Sequence, residues 1–197
     1  WFEGDVSCPV GKAISLSTTK FSVLRAVNTL GDFGGTGVTL QSGSNNNHLS
    51  DISIAQDTIG LSIISSHYNT VRGLWSRSND IGIFLHVARE NTLSDVMVTA
   101  STAYGIRLDT TSYDNRLSNV TIGNTDDAYG LASGLAMASS PNNIISSLVI
   151  AGMKDNDIGL SLTNNSDLSS LSNLAVSNIL GSSGVGVKLT SVSTNYF

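Results

Sequence analysis

The chain has 197 residues, a formal charge of −5, 13% charged and 40% hydrophobic residues, and 19 glycines. Its ten Lys and Arg are too few and too scattered to form the basic stripe of a nucleic-acid surface, and it has no apolar run of membrane-spanning length. Its single cysteine, Cys8, excludes an internal disulfide and lacks the companions of a metal site.

Residues 1–36 are rich in glycine and aromatics and lack any repeat, so they read as an N-terminal cap or lead-in segment. Cys8 within them is expected to be a small buried or capping residue; in an exported protein its partner would lie outside this stretch or on another chain.

From residue 37 onward a glycine opens each repeat: Gly37-Val-Thr-Leu40, Gly60-Leu-Ser-Ile63, Gly82-Ile-Phe-Leu85, Gly105-Ile-Arg-Leu108, Gly134-Leu-Ala-Met137, Gly159-Leu-Ser-Leu162 and Gly186-Val-Lys-Leu189. Each glycine starts a stretch in which apolar and polar residues alternate, the period of a half-buried strand. Between these stretches an asparagine returns at Asn47, Asn69, Asn91, Asn115 and Asn143, two residues before an apolar one, at spacings of 22, 22, 24 and 28. A second apolar series follows it, as in Leu49, Ile52 and Ile54.

Periods in this range mean stacked repeats. No apolar pattern of helical spacing extends over ten positions, so crossover helices are excluded. The expected fold is all-β: a coil of short parallel strands with about seven rungs over residues 37–197, spaced about 4.8 Å apart. An inward asparagine would hydrogen-bond its counterparts in adjacent rungs. The chain stops at Asn195-Tyr-Phe197, within another rung, which reads as a segment excised from a longer protein.

The Gly-apolar-x-Leu motif and the longer motif seen in Asn91-Thr-Leu-Ser-Asp-Val-Met-Val98 and Asn115-Arg-Leu-Ser-Asn-Val-Thr-Ile122 resemble the parallel β-helix family of pectate lyase-like and NosD-like carbohydrate-binding and sugar-hydrolase repeat proteins. The resemblance implies a right-handed single-stranded parallel β-helix and an exported location, extracellular or at the cell surface, in a bacterial or phage surface or fibre protein. It does not choose between enzyme and binding module, because both share the coil.

Alternation places Thr39, Ser62, Phe84, Arg107, Ala136, Ser161 and Lys188 in one outward column and Gln41, Ile64, His86, Asp109, Ala138, Thr163 and Thr190 in the next. Phe84, His86, Arg107 and Asp109 should therefore form one patch, able to stack on a sugar ring and bond its hydroxyls, or to offer a histidine–carboxylate general base. A surface ion pair beside an exposed ring is the plainer account and is preferred on sequence alone. In the other outward column, Ser53, Trp75, Met97, Thr121, Val149 and Ala175, the tryptophan is a candidate glycan platform or, slightly preferred, a subunit contact.

Asp51 and Asp95 invite comparison with paired catalytic carboxylates, but sit at turn-like steps where Asp and Asn serve the backbone. The acids Asp57, Asp80, Asp126, Asp127, Asp155 and Asp157 before the glycines match no calcium motif and read as solvated turn residues. His48 and His67 are placed in turns, away from His86, so no metal or other cofactor is expected. Catalytic motifs of pectate lyases, polygalacturonases and epimerases are missing from the sequence. The leading expectation is a non-enzymatic adhesion or binding module, a fibre or stalk segment, whose partner is a glycan or a surface protein, with a homo-oligomer such as a trimer formed through exposed apolar residues. A polysaccharide-active lyase, hydrolase or epimerase is the alternative.

Overall fold

The computed structural model describes residues 1–8, 10–123, 133–153, 157–179, 183–193 and 195–196. Among them every regular element is a strand. One parallel sheet contains β1 (Phe2–Ser7), β3 (Val23–Leu30), β5 (His48–Ala55), β7 (Thr70–Arg77), β9 (Thr92–Thr99), β11 (Arg116–Gly123), β13 (Ile144–Met153) and β15 (Ser170–Ile179), in that order. The other contains β2 (Val10–Ser17), β4 (Gly34–Gln41), β6 (Ile59–Ile64), β8 (Ile81–His86), β10 (Tyr104–Asp109), β12 (Ser133–Ala138), β14 (Ile158–Thr163) and β16 (Val185–Thr190). The chain alternates between the sheets, so each rung stacks on the one before it and the whole is a parallel β-solenoid.

The seven glycine-opened segments are β4 and every even-numbered strand after it, and β2 precedes them in the same sheet. Within residues 1–36, β1 pairs with β3, β2 with β4, and β3 with β5, all in parallel.

The core is built of like residues stacked rung on rung. Leu49, Val71, Leu93, Leu117 and Ile145 form one buried file. Val38, Leu61, Ile83, Ile106, Leu135 and Leu160 form another from the opposite sheet. Burial of apolar surface at roughly 25 cal/mol per Å² drives this stacking.

Period-two alternation alone would put Leu49 and Ile52 on opposite faces. They share one because Asp51, between them, adopts a left-handed backbone (φ 56°), as do Asp95 (55°) and Asn119 (52°) in later rungs. Asp and Asn tolerate this conformation best after glycine, and Gly73 takes the same position with φ 66°. The column that holds Asp51 and Asp95 is thus the hinge at which β5, β7, β9 and β11 bend.

Gly105 shows why glycine opens the even-numbered strands. A Cβ there would lie 2.5 Å from Ile122 Cγ2 and 2.6 Å from the Gly134 carbonyl oxygen, too close for any side chain.

The asparagines form the expected ladder. Asn69 Oδ1 accepts the backbone N–H of Asn47 at 2.9 Å and its side-chain Nδ2 at 3.1 Å, and the same pair of bonds recurs from Asn69 to Asn91, Asn91 to Asn115, and Asn115 to Asn143. The ladder then passes to Ser169 Oγ, which accepts the Asn143 N–H, and to Asn195 Oδ1, which accepts the Ser169 N–H. A parallel serine file runs three residues earlier, where Ser66 Oγ accepts the Ser44 N–H, Ser112 Oγ the Ala88 N–H and Ser166 Oγ the Ser140 N–H. These side chains satisfy backbone donors that a tight buried turn would otherwise strand.

Two turn readings change. Asp57 is 1% exposed rather than solvated, and Asn79 one rung on accepts its N–H at 2.8 Å. Asp157 is buried as well, while Asp126, Asp127 and Asp155 lie outside the described residues. His48 starts β5 instead of standing in a turn.

Candidate functional site

On the outer face of the even-numbered sheet, β8 and β10 pair Phe84 with Arg107 and His86 with Asp109. His86 Nδ1 lies 2.7 Å from Asp109 Oδ1, and Arg107 forms an ion pair with Asp109 Oδ2 at 2.8 Å. The carboxylate side chain is 12% exposed, against 36% for His86 and 38% for Arg107. Asp109 is thus a buried acceptor clamped by two outer groups, and its charge balances the guanidinium. Since Asp109 accepts at Nδ1, the neutral imidazole carries its proton there and presents the Nε2 lone pair outward.

Aromatic rings frame this cluster. Phe84 and His86 stack with centroids 5.7 Å apart and planes at 27°. The Arg107 guanidinium lies 5.5 Å from the Phe84 ring and 5.1 Å from that of Tyr104, within cation–π range. Tyr104 is a member of the site that outward-column counting missed. It precedes the glycine, where the paired residues are Ile81 and Ser133, and the one signal was an aromatic in the same rung as Arg107.

Beyond Arg107 and Tyr104 the surface falls into a depression of about 230 Å³ floored by Ser133, Ala136, Ala138, Ser161 and Thr163. On the other side of Phe84, Thr39 and Ser62 are outward yet buried, because their short side chains lie below their neighbours. The ring-and-ion cluster therefore rises from a strip of small residues that crosses the rungs.

Trp75 does not join this cluster. It lies on β7, in the other sheet, paired with Ser53 and Met97, and is 45% exposed with the Arg77 guanidinium 5.1 Å from its ring centroid. The carboxylates of the hinge column are engaged locally. Asp95 accepts from Asn119 Nδ2 at 2.7 Å and Arg72 Nε at 3.2 Å; the Asn119 amide first, and Arg72 with it, holds its pKa below the ordinary carboxylate value. The five ladder asparagines are all buried in the coil.

A sequence model of the family described as "Periplasmic copper-binding protein (NosD)" matches residues 10–197, and the chain belongs to that family. No curated protein matches it. Among solved structures, a point mutant of the periplasmic alginate epimerase AlgG superposes with a TM-score of 0.62 at 14% identity, covering 93% of this chain and 47% of that one. The enzymatically active domain of Bacteriophage CBA120 tailspike protein 2 gives 0.71 at 15% identity, over 96% of this chain and 38% of that one. An alginate lyase from Paenibacillus gives 0.61 at 11% identity, over 98% and 95%. At these identities the likeness is one of fold, and it agrees with the β-helix resemblance carried by the repeats. The chain spans about half the length of the AlgG structure.

The family description raises the question of copper, which favours clustered imidazole, thiolate and thioether ligands. Among the described residues no three His, Cys, Asp or Glu converge. His86 spends Nδ1 on Asp109, His67 Nδ1 accepts the Arg89 N–H at 3.3 Å, and Cys8 Sγ donates to the Val10 carbonyl. The described residues bring no such cluster of imidazole, thiolate and carboxylate ligands together for copper.

Proposed function

We propose that this NosD-family solenoid is an exported, non-enzymatic glycan-binding module, and that a sugar chain lies across the rungs of the even-numbered sheet with Phe84, Tyr104, His86, Arg107 and Asp109 as its central contact. One observation carries the reading: a buried carboxylate held by two outer polar groups and framed by aromatic rings, beside an open floor of small residues. The rings supply apolar faces for a pyranose, and the guanidinium and imidazole supply directional bonds to its hydroxyls. The clamp fixes these groups before the ligand arrives, so little ordering entropy opposes binding. The charge of Arg107 is balanced by Asp109, which favours a neutral sugar at this site. That carbohydrate-active proteins share the fold supports the ligand class.

A glycan array probed with wild type and Phe84→Ala side by side tests the reading. Signals on a defined set of sugars that disappear in the variant are expected; an array blank for both proteins, or identical for both, overturns it.

The His86–Asp109 pair favours a second reading, in which Nε2 removes a proton from a bound sugar and the protein is a polysaccharide lyase or epimerase. Turnover of the array ligand that is lost in His86→Gln while binding persists would establish that reading over the first.

A further inference from the structure

The odd-numbered sheet carries a groove of about 520 Å³, within the usual 300–1,000 Å³ of ligand sites. Two adjacent outward files line it, Asp5, Asn28 and Ser53 in one and Ser7, Leu30, Ala55 and Arg77 in the other, and Trp75 continues the first file just beyond it. Three strand spacings, about 14 Å, separate the first rung from the fourth. The floor is sunk at its centre, for Ala55 points outward yet is only 4% exposed.

The two ends of the groove differ chemically. At one, Asn28 Nδ2 donates to Asp5 Oδ1 at 2.7 Å, leaving Oδ2 to accept from a hydroxyl. At the other, Arg77 lies against Trp75, and among the described residues it pairs with no carboxylate. Contact with the indole occupies the face of a guanidinium and leaves its N–H edge free, the edge that grips a carboxylate through two parallel bonds.

We propose that this groove is a second saccharide site, separate from the even-sheet cluster and selective for an acidic sugar: Arg77 takes the carboxylate, Trp75 holds the guanidinium in place, and Asp5, Asn28 and Ser53 take the hydroxyls. The contrast with Arg107, which is neutralised within its own cluster, gives the two faces of the coil different charge preferences. A solenoid with a site on each face can join two polysaccharide chains.

The test is calorimetric titration with a galacturonate oligomer and with its methyl ester, which keeps the rings and removes the charge. Wild type should bind the acid on the order of tenfold more tightly than the ester, with a preference that shrinks as salt is raised. Arg77→Gln should lose that preference, Arg77→Lys should restore part of it, and Lys188→Gln, which removes an exposed charge outside both sites, should leave it intact. Equal affinity for acid and ester in wild type, or a preference that survives Arg77→Gln, overturns the proposal. So does a wild-type oligomer in light scattering that dissociates in Trp75→Ala, since the indole would then belong to a subunit contact. A failure of the even-sheet site appears instead as array binding indifferent to Phe84.

Discussion

His86 and Asp109 are 23 residues apart in sequence and 2.7 Å apart in space, because they hold paired positions on adjacent rungs. The contact follows from rung length alone, as does the Phe84–Arg107 pairing beside it. Replacing Asp109 with Asn keeps the shape and removes the charge, so Arg107 loses its clamp. With both partners about one-third exposed, stability should change by no more than about 1 kcal/mol, while affinity for the array ligand should fall about tenfold, consistent with losing a charge-assisted bond. Thermal melts and calorimetry on one sample separate the two effects.

Asn91 is the ladder position to remove. It accepts two bonds from Asn69 and donates through Nδ2 to Ser66 O, Arg89 O and Asn115 Oδ1. Asn91→Ala strands the buried Asn69 N–H and Nδ2, and should cost about 3 kcal/mol at roughly 1–3 kcal/mol for each unsatisfied group. Chemical denaturation gives the value.

Asp57 should make stability depend on pH. Among the described residues neither carboxylate oxygen has a hydrogen-bond partner, and burial pushes its pKa from 3.8 to about 6. The folded state thus holds a proton that the unfolded state releases near pH 4. Stability is greatest below that point, falls as pH rises through 6, and then levels off. Asn79 fills the equivalent place one rung on with an amide, so Asp57→Asn should be more stable than wild type at pH 7 by on the order of 2 kcal/mol. That gain should disappear at pH 4. Melting temperatures across this range decide the matter, and a gain independent of pH would show that the carboxylate is not the cause.

Gly105→Ala should cost about 1–3 kcal/mol through overpacking, since the methyl group would press on the Gly134 carbonyl and Ile122. Alanine at Gly123, whose Cβ would meet, among the described residues, Ala151 O alone at 3.6 Å, is the control and should cost less in the same denaturation assay.

Rung stacking was legible because it repeats: Asn47 to Asn143, and the apolar residue two places after each, give the period, and the period gives every outward column. The columns in turn placed His86 against Asp109. What stayed hidden lies where a residue type has two ordinary uses. Ser66, Ser112 and Ser166 look like turn filler but cap buried N–H groups. Asp57 looks like any surface turn acid, and only the coil geometry shows it enclosed. Tyr104 stands outside the columns counted from the glycine, and the sunken floor at Ala55 depends on the reach of Leu30 and Arg77 around it. Alternation says which way a side chain points, and not how far its neighbours rise above it.

The most direct test of the glycan-binding claim is an NMR titration that follows the His86 ring while the strongest array ligand is added. Saturable shifts of the His86 and Tyr104 ring signals, absent in Asp109→Ala, are the predicted result. A ligand that binds with both sets of signals unmoved would contradict the claim and place the site elsewhere on the coil.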